Sequence, residues 1–165
     1  MEMINKRRSV RSFKTEKLKQ DEILLILKAG MQAPSARNQQ PWYFMVVEDL
    51  KLIKELKEVS PGAKAIENAP CVIALLMKDD QEMTAASLVQ QDMGACMQNM
   101  LLEATSLNIG SVWIGIYPLE ARSQAVAKII EAEKRVFALV AFGYPSDPEV
   151  FKFVDRFDSE RISWK

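Results

Sequence analysis

The sequence contains no histidine. That absence excludes a serine–histidine–aspartate triad, a cysteine–histidine pair and any histidine-bearing zinc site. Cysteine is scarce: Cys71 and Cys96 stand 25 positions apart and cannot supply four thiolate ligands. Cys71 lies in an apolar, strand-like run and Cys96 in an apolar helical stripe, so both read as buried, inert thiols of a reducing compartment. No run of 18 uncharged apolar residues occurs, so no membrane-spanning helix is expected. The opening residues MEMINKRR have no apolar segment behind their charges, so export is not expected and a cytoplasmic location is. Net charge is absent as well, because 22 Lys and Arg balance 22 Asp and Glu. A neutral chain is a poor match for nucleic acid, whose affinity rests on phosphate neutralisation.

What remains is an ordinary globular composition: 165 residues, 48% of them hydrophobic. That length fits one domain spanning 1–165 that buries roughly two-thirds of its extended-chain surface. Apolar periodicity predicts helices over 20–31, 48–60, 84–107 and 119–132, the longest carrying Leu88 and then Met93, Cys96, Met97, Met100, Leu101, Ala104 and Leu107 at helical spacing. Continuous apolar runs predict strands over 43–47, 71–77, 111–116 and 136–144. Elements alternate over crossovers of unequal length, which indicates an α+β or three-layer α/β arrangement with a small sheet between helices. The tail, 145–165, has two prolines and four aromatics but little periodicity, and is expected to be an extended arm.

Four segments could carry chemistry. The charge is unevenly spread, with seven Lys or Arg against two Glu in residues 1–20. Within that stretch RRSVRSF places Arg7, Arg8, Ser9 and Arg11 together. Guanidinium forks and a hydroxyl match phosphate geometry, although a solvated basic terminus explains the run equally well. PSARNQQPW, 34–42, offers Ser35 and the amides of Asn38, Gln39 and Gln40, which can read a heterocycle edge or simply connect a helix to a strand. SVWIGIYP sets Gly115 beside Ile116 in a strand pattern, which marks a bulge or the close approach of a ligand. DRFDSERI brings Arg156 among charges that could pair with one another.

In their order and spacing these segments resemble the nitroreductase family of FMN-dependent oxidoreductases, over nearly the whole chain from Arg7 to Trp164. QDMGACMQNMLLEA, 91–104, is similar to the family's long central helix. The resemblance implies a three-layer nitroreductase-like α+β fold with a small mixed, mostly antiparallel sheet. It implies a homodimer whose FMN sites lie at the subunit interface, with the C-terminal arm reaching the partner. By resemblance Arg7, Arg8 and Ser9 hold the flavin phosphate, Arg11 stands at the pyrimidine edge, and Arg156 closes on the phosphate. Pro34, Ser35, Ala36 and Asn38 match a loop reaching the partner's flavin, and Gly115 and Ile116 match the segment facing the reactive ring nitrogen. The implied activity passes a hydride from NAD(P)H, through the flavin, to a nitroaromatic, quinone or similar acceptor in ping-pong fashion. No catalytic side chain or metal is implied. The alternatives are a flavin-binding sensor without catalysis and a flavin-fragmenting or dehalogenating relative. The short segment from Lys78 to Met83 implies a small roof over the site.

Overall fold

The computed structural model describes residues 1–165, the side chain of Pro148 excepted. Strands β1 (Trp42–Val47), β2 (Cys71–Met77), β3 (Gly110–Gly115) and β4 (Arg135–Gly143) form one sheet in the order β1-β2-β4-β3. All three pairings are antiparallel. The expected mixture of directions reduces to an isolated parallel bridge between Ser9 and Ser111. β2 and β4 occupy the centre and are covered on both faces, which explains their unbroken apolar sequences.

Side-chain alternation divides the core in two. Cys71, Ile73, Leu75 and Met77 of β2 face the layer of α2 (Gln20–Met31) and α4 (Val89–Ser106). Val72, Ala74 and Leu76 face α3 (Leu50–Leu56), the 3-10 turn Pro61–Ile66 and α5 (Glu120–Ile129). β4 breaks its alternation once. Leu75 pairs with Ala138 but Leu76 with Val136, so Phe137 is the extra residue of a bulge. Phe137 and Ala138 consequently both point toward the α4 layer. The Phe137 carbonyl accepts from the N–H groups of Ile116 (3.3 Å) and Tyr117 (2.9 Å), which fixes the exit from β3.

Several boundaries differ from the sequence expectation. A short helix, α1 (Glu2–Lys6), precedes the arginine run. α3 stops at Leu56 and continues as a 3-10 turn over Lys57–Val59. α4 starts at Val89, because residues 86–88 form their own 3-10 turn, so Leu88 falls outside the buried stripe and is exposed. The tail matches expectation: beyond the turn Pro148–Val150 it holds only one further 3-10 turn, Ser159–Arg161, and residues 152–165 are exposed throughout.

Residues 9–13 strap the outer edge of β3. The Val10 N–H donates to the Ser111 carbonyl (2.8 Å), and Lys14 N–H to the Tyr144 carbonyl (2.8 Å). Gly110 makes the strap possible, since a Cβ there would stand 2.8 Å from Val10 Cβ and Cγ1. Val10 and Phe13 are buried as anchors, leaving Arg7, Arg8, Ser9 and Arg11 at or near the surface beside them.

Candidate functional site

The arginines of the strap meet the start of the tail. A cleft of about 420 Å³ is lined by α1, by Arg7 and Arg8, and by Phe153–Phe157 of the tail, Arg156 included. Among the described residues, none of these three arginines takes part in an ion pair. The one cleft carboxylate, Asp155, accepts the Phe157 N–H at 2.9 Å. Partial burial, then the charges of Arg156 and Arg8, hold the Arg7 guanidinium below its ordinary pKa. Cations gathered this way repel one another until an anion joins them. Arg8 is partly committed already: it donates to the carbonyls of Arg7 (2.6 Å) and Lys152, and so clamps the tail to the strap. Arg11 is exposed and donates to the Ser9 carbonyl at 3.2 Å.

From this cleft β3 leads toward the opposite end of the sheet. Ser111 already gives its carbonyl to Val10, on the side away from β4, and Ile116 gives its N–H to Phe137 on the β4 side. Strand alternation therefore turns the backbone groups of Trp113 and Gly115 outward, to the free edge. Gly115 is exposed, and a Cβ built on it meets nothing within 4 Å. It is a strand residue beside open space with a donor aimed outward. Ile116 offers less, because its side chain is fully buried and its carbonyl accepts from Leu119 N–H (3.1 Å). Trp113, half-exposed on the same face as Gly115, leans on Phe137 with ring centroids 6.2 Å apart, and Tyr117 packs on Phe137 at 6.1 Å. Ser111 to Gly115 spans roughly 13 Å at the usual strand rise. Beneath the strap the Ser111 hydroxyl is buried without a hydrogen-bond partner.

The loop Pro34–Pro41 sits at the Gly115 end of the sheet, since it leads into Trp42, whose neighbour Met77 pairs with Arg135. Arg37, Asn38 and Gln40 all have left-handed backbones, with φ of 52°, 53° and 45°. Such conformations cost energy in residues with a Cβ and persist only where the surroundings impose them. The surroundings are explicit. Asp92, buried in the first turn of α4, accepts the Ala36 N–H (2.9 Å) and the Gln39 Nε2 (2.6 Å). Gln39 also exchanges both its amide bonds with the backbone of Ala85, and Lys78 Nζ donates to the Gln39 carbonyl. The Ser35 hydroxyl accepts the Gln40 N–H at 3.0 Å. Over the loop, residues 78–88 form a small roof of two 3-10 turns, held to the start of β4 by Lys134–Glu82 and Arg135–Asp80 pairs.

The sequence profile described as the nitroreductase family matches residues 4–62 and 61–144. The chain belongs to the nitroreductase family. A relative from Archaeoglobus fulgidus, named as an NADH dehydrogenase/NAD(P)H nitroreductase, is 37% identical over 98% of this chain and 95% of its own length. Among solved structures, one from Clostridium acetobutylicum named as an NADH oxidase has a TM-score of 0.92 and 41% identity, covering 98% of this chain and 97% of that one. A nitroreductase from Desulfovibrio desulfuricans, solved in complex with FMN, has a TM-score of 0.80 and 27% identity, covering 99% of this chain and 94% of that one.

For a nitroreductase, the fold groups the expected site residues into three sets. Arg7, Arg8 and Arg156 converge on one cleft, with Ser9 and Arg11 next to it on the strap. Gly115 and Ile116 lie farther along β3. Pro34, Ser35, Ala36 and Asn38 form the third set, and no described hydrogen bond joins them to the arginine strap. Asp92 escaped the sequence reading, and Gln39, read there as one of the loop's amides, turns out to be bound to it rather than free for a ligand. The signal was there: an aspartate three residues after Val89 and four before Cys96 falls on the apolar face of the long helix. A carboxylate on a buried face implies donors brought to it.

Proposed function

We propose that this chain is an FMN-dependent oxidoreductase that moves a hydride from NAD(P)H to a nitroaromatic, quinone or similar small acceptor. In this reading residues 1–165 form one FMN-binding domain, which works in the cytoplasm as a homodimer with its flavin sites between subunits. The observation that carries it is the cleft of Arg7, Arg8 and Arg156, in which cations meet with no carboxylate in an ion pair. A phosphate monoester bears close to two negative charges and several acceptor oxygens, which answers that arrangement.

The remaining residues fit the rest of the cofactor. FMN, when bound, supplies two-electron hydride chemistry that the side chains here cannot perform. Arg7 and Arg156 hold the phosphate, and Arg8 keeps the tail against the strap so that Arg156 stays in reach. Ser9 adds a hydroxyl on the exposed side of the strap. Gly115 turns its N–H toward the open edge and leaves room for a flat ring that any larger residue would fill. Arg11 is the cation assigned to the pyrimidine edge, where fixed positive charge favours the acceptance of electrons. The loop residues Pro34, Ser35, Ala36 and Asn38 serve the partner's ring, which explains why they stand apart from the arginines of their own chain. The small roof leaves the ring face accessible, so donor and acceptor can occupy it in turn.

The visible absorption spectrum of the purified protein, followed without oxygen as NADPH and then NADH are added, tests the proposal. A flavin band that bleaches with either donor is expected. A band that persists with both would remove the nicotinamide reaction and leave a flavin-binding protein. No band after incubation with FMN would overturn the assignment of the cleft.

A further inference from the structure

The loop Pro34–Pro41 holds three left-handed residues with side chains, and its own side-chain bonds, Gln40 N–H to Ser35 Oγ and Gln40 Nε2 to Asn38 Oδ1, are exposed to solvent. The buried bonds that hold its conformation come from outside it, in a small network. Asp92 is 5% exposed and Gln39 8% exposed, and among the described residues Asp92 takes part in no ion pair. Asp92 spends one carboxylate oxygen on the Ala36 N–H and the other on Gln39 Nε2. Gln39 is locked against rotation: its Oε1 accepts the Ala85 N–H (2.9 Å) while its Nε2 donates to the Ala85 carbonyl (3.1 Å). A flip of the amide would set donor against donor and acceptor against acceptor at Ala85. The network therefore ties one end of the loop to α4 and the other to the roof.

We propose that Asp92 and Gln39 are positioning residues that hold Ser35–Asn38 in the strained shape needed to meet the flavin ring of a second copy of this chain. This rests on the reading of the chain as an FMN-binding dimer. Neither residue touches the ring or the phosphate. Their effect reaches the cofactor only through the backbone of the loop, and it is specific to the ring, since the phosphate lies with the arginines of the cleft.

The chemistry of the network supplies its own test. In Asp92→Asn the side chain keeps its shape but has one acceptor and one donor. It can satisfy either Ala36 or Gln39 and must present an NH2 to the other, because Gln39 cannot turn. In the double variant Asp92→Asn with Gln39→Glu the polarity is exchanged. The introduced amide can accept from Ala36 and donate to the introduced carboxyl, which accepts from Ala85 N–H and, in its protonated form, donates to the Ala85 carbonyl, so the double variant is assayed at pH 5. Full-length protein freed of flavin is titrated with FMN and with lumiflavin, which lacks the ribityl phosphate, and the melting temperature of each flavin-free protein is recorded.

Asp92→Asn is expected to weaken FMN and lumiflavin by the same factor, at least about tenfold. At pH 5 the double variant should recover both to within about threefold of the original at the same pH. That equal loss distinguishes the loop from the cleft, where Arg7→Ala should weaken FMN alone. Unchanged lumiflavin affinity in Asp92→Asn would overturn the proposal, as would a folded double variant no better than the single one at pH 5. If the single variant does not fold, a folded double variant decides alone. If neither folds, Asp92 supports the fold rather than the loop and the proposal is wrong. An original protein that binds no flavin would instead refute the cofactor assignment.

Discussion

Arg7→Ala separates two effects that ordinarily travel together. In the flavin-free protein Arg7 is half-buried and sees mainly cations, Arg156 and Arg8, so its charge is a burden on the fold. Removing it should leave the melting temperature of the flavin-free protein unchanged or raised. Binding should respond in the opposite direction. A lost charge-assisted contact to phosphate is worth about 1.5–3 kcal/mol. At 1.4 kcal/mol per decade this is a loss of roughly 10- to 150-fold in FMN affinity. Riboflavin, which has the ring and ribityl chain but no phosphate, should bind the variant as it binds the original. The assay is quenching of flavin fluorescence on titration, with inorganic phosphate as a competitor against FMN. An equal loss for FMN and riboflavin would refute the phosphate role, because the damage would then lie in the strap as a whole. A fall in melting temperature without a change in FMN affinity would refute the electrostatic argument outright.

Other perturbations probe the rest of the site and its frame. Gly115→Val adds a side chain where nothing stands within 4 Å, so the flavin-free melting temperature should hold while FMN uptake is lost, read by the absorbance of the purified protein. Gly110→Ala drives a Cβ to 2.8 Å from Val10; the clash should cost about 1–3 kcal/mol and lower the melting temperature by ~2–4 °C for each kcal/mol. Burial pushes the Cys71 and Cys96 thiols up to about 12, so iodoacetamide at pH 8 should label neither until the protein is denatured, as counted by mass spectrometry. Those raised values also fix a pH trend. The stability they represent is complete below the unfolded thiol value of 9.0 and is lost as pH climbs toward 12. Tyr144, which donates its hydroxyl proton to Glu22 at 2.8 Å, acts in the same direction, so melting temperature should fall between pH 9 and 12.

The layered fold was legible wherever one period dominated. The stripe from Met93 to Leu101 gives α4, and the uninterrupted runs of β2 and β4 announce strands covered on both sides. Strand order and direction were not, because central strands look alike from either neighbour. The bulge at Phe137 is hidden for a similar reason: every residue around it is apolar, so a shift of one position changes no pattern. α1 is five residues long, less than two helical turns, too short for periodicity to register. At the site, residue types were informative and partners were not. The run RRSVRSF suggests an anion, yet nothing in it tells that Arg8 spends its donors on Arg7 and Lys152 while Arg7 meets Arg156. Gly115 and Ile116 read as a pair, but strand alternation gives them opposite fates, one facing open space and the other the core.

The outward-turned backbone of β3 also bears on how the protein survives in a crowded solution. A strand edge with unclaimed N–H and C=O groups is a template on which another chain can add itself, the first step toward aggregates. Here that edge carries no proline within Gly110–Gly115 and no charged side chain to repel an incoming strand. The strap shields only its beginning, at Ser111. Whatever settles along Trp113 and Gly115 thus acts as a guard against self-association, and protein made without it should be the more prone to precipitate on storage and on refolding.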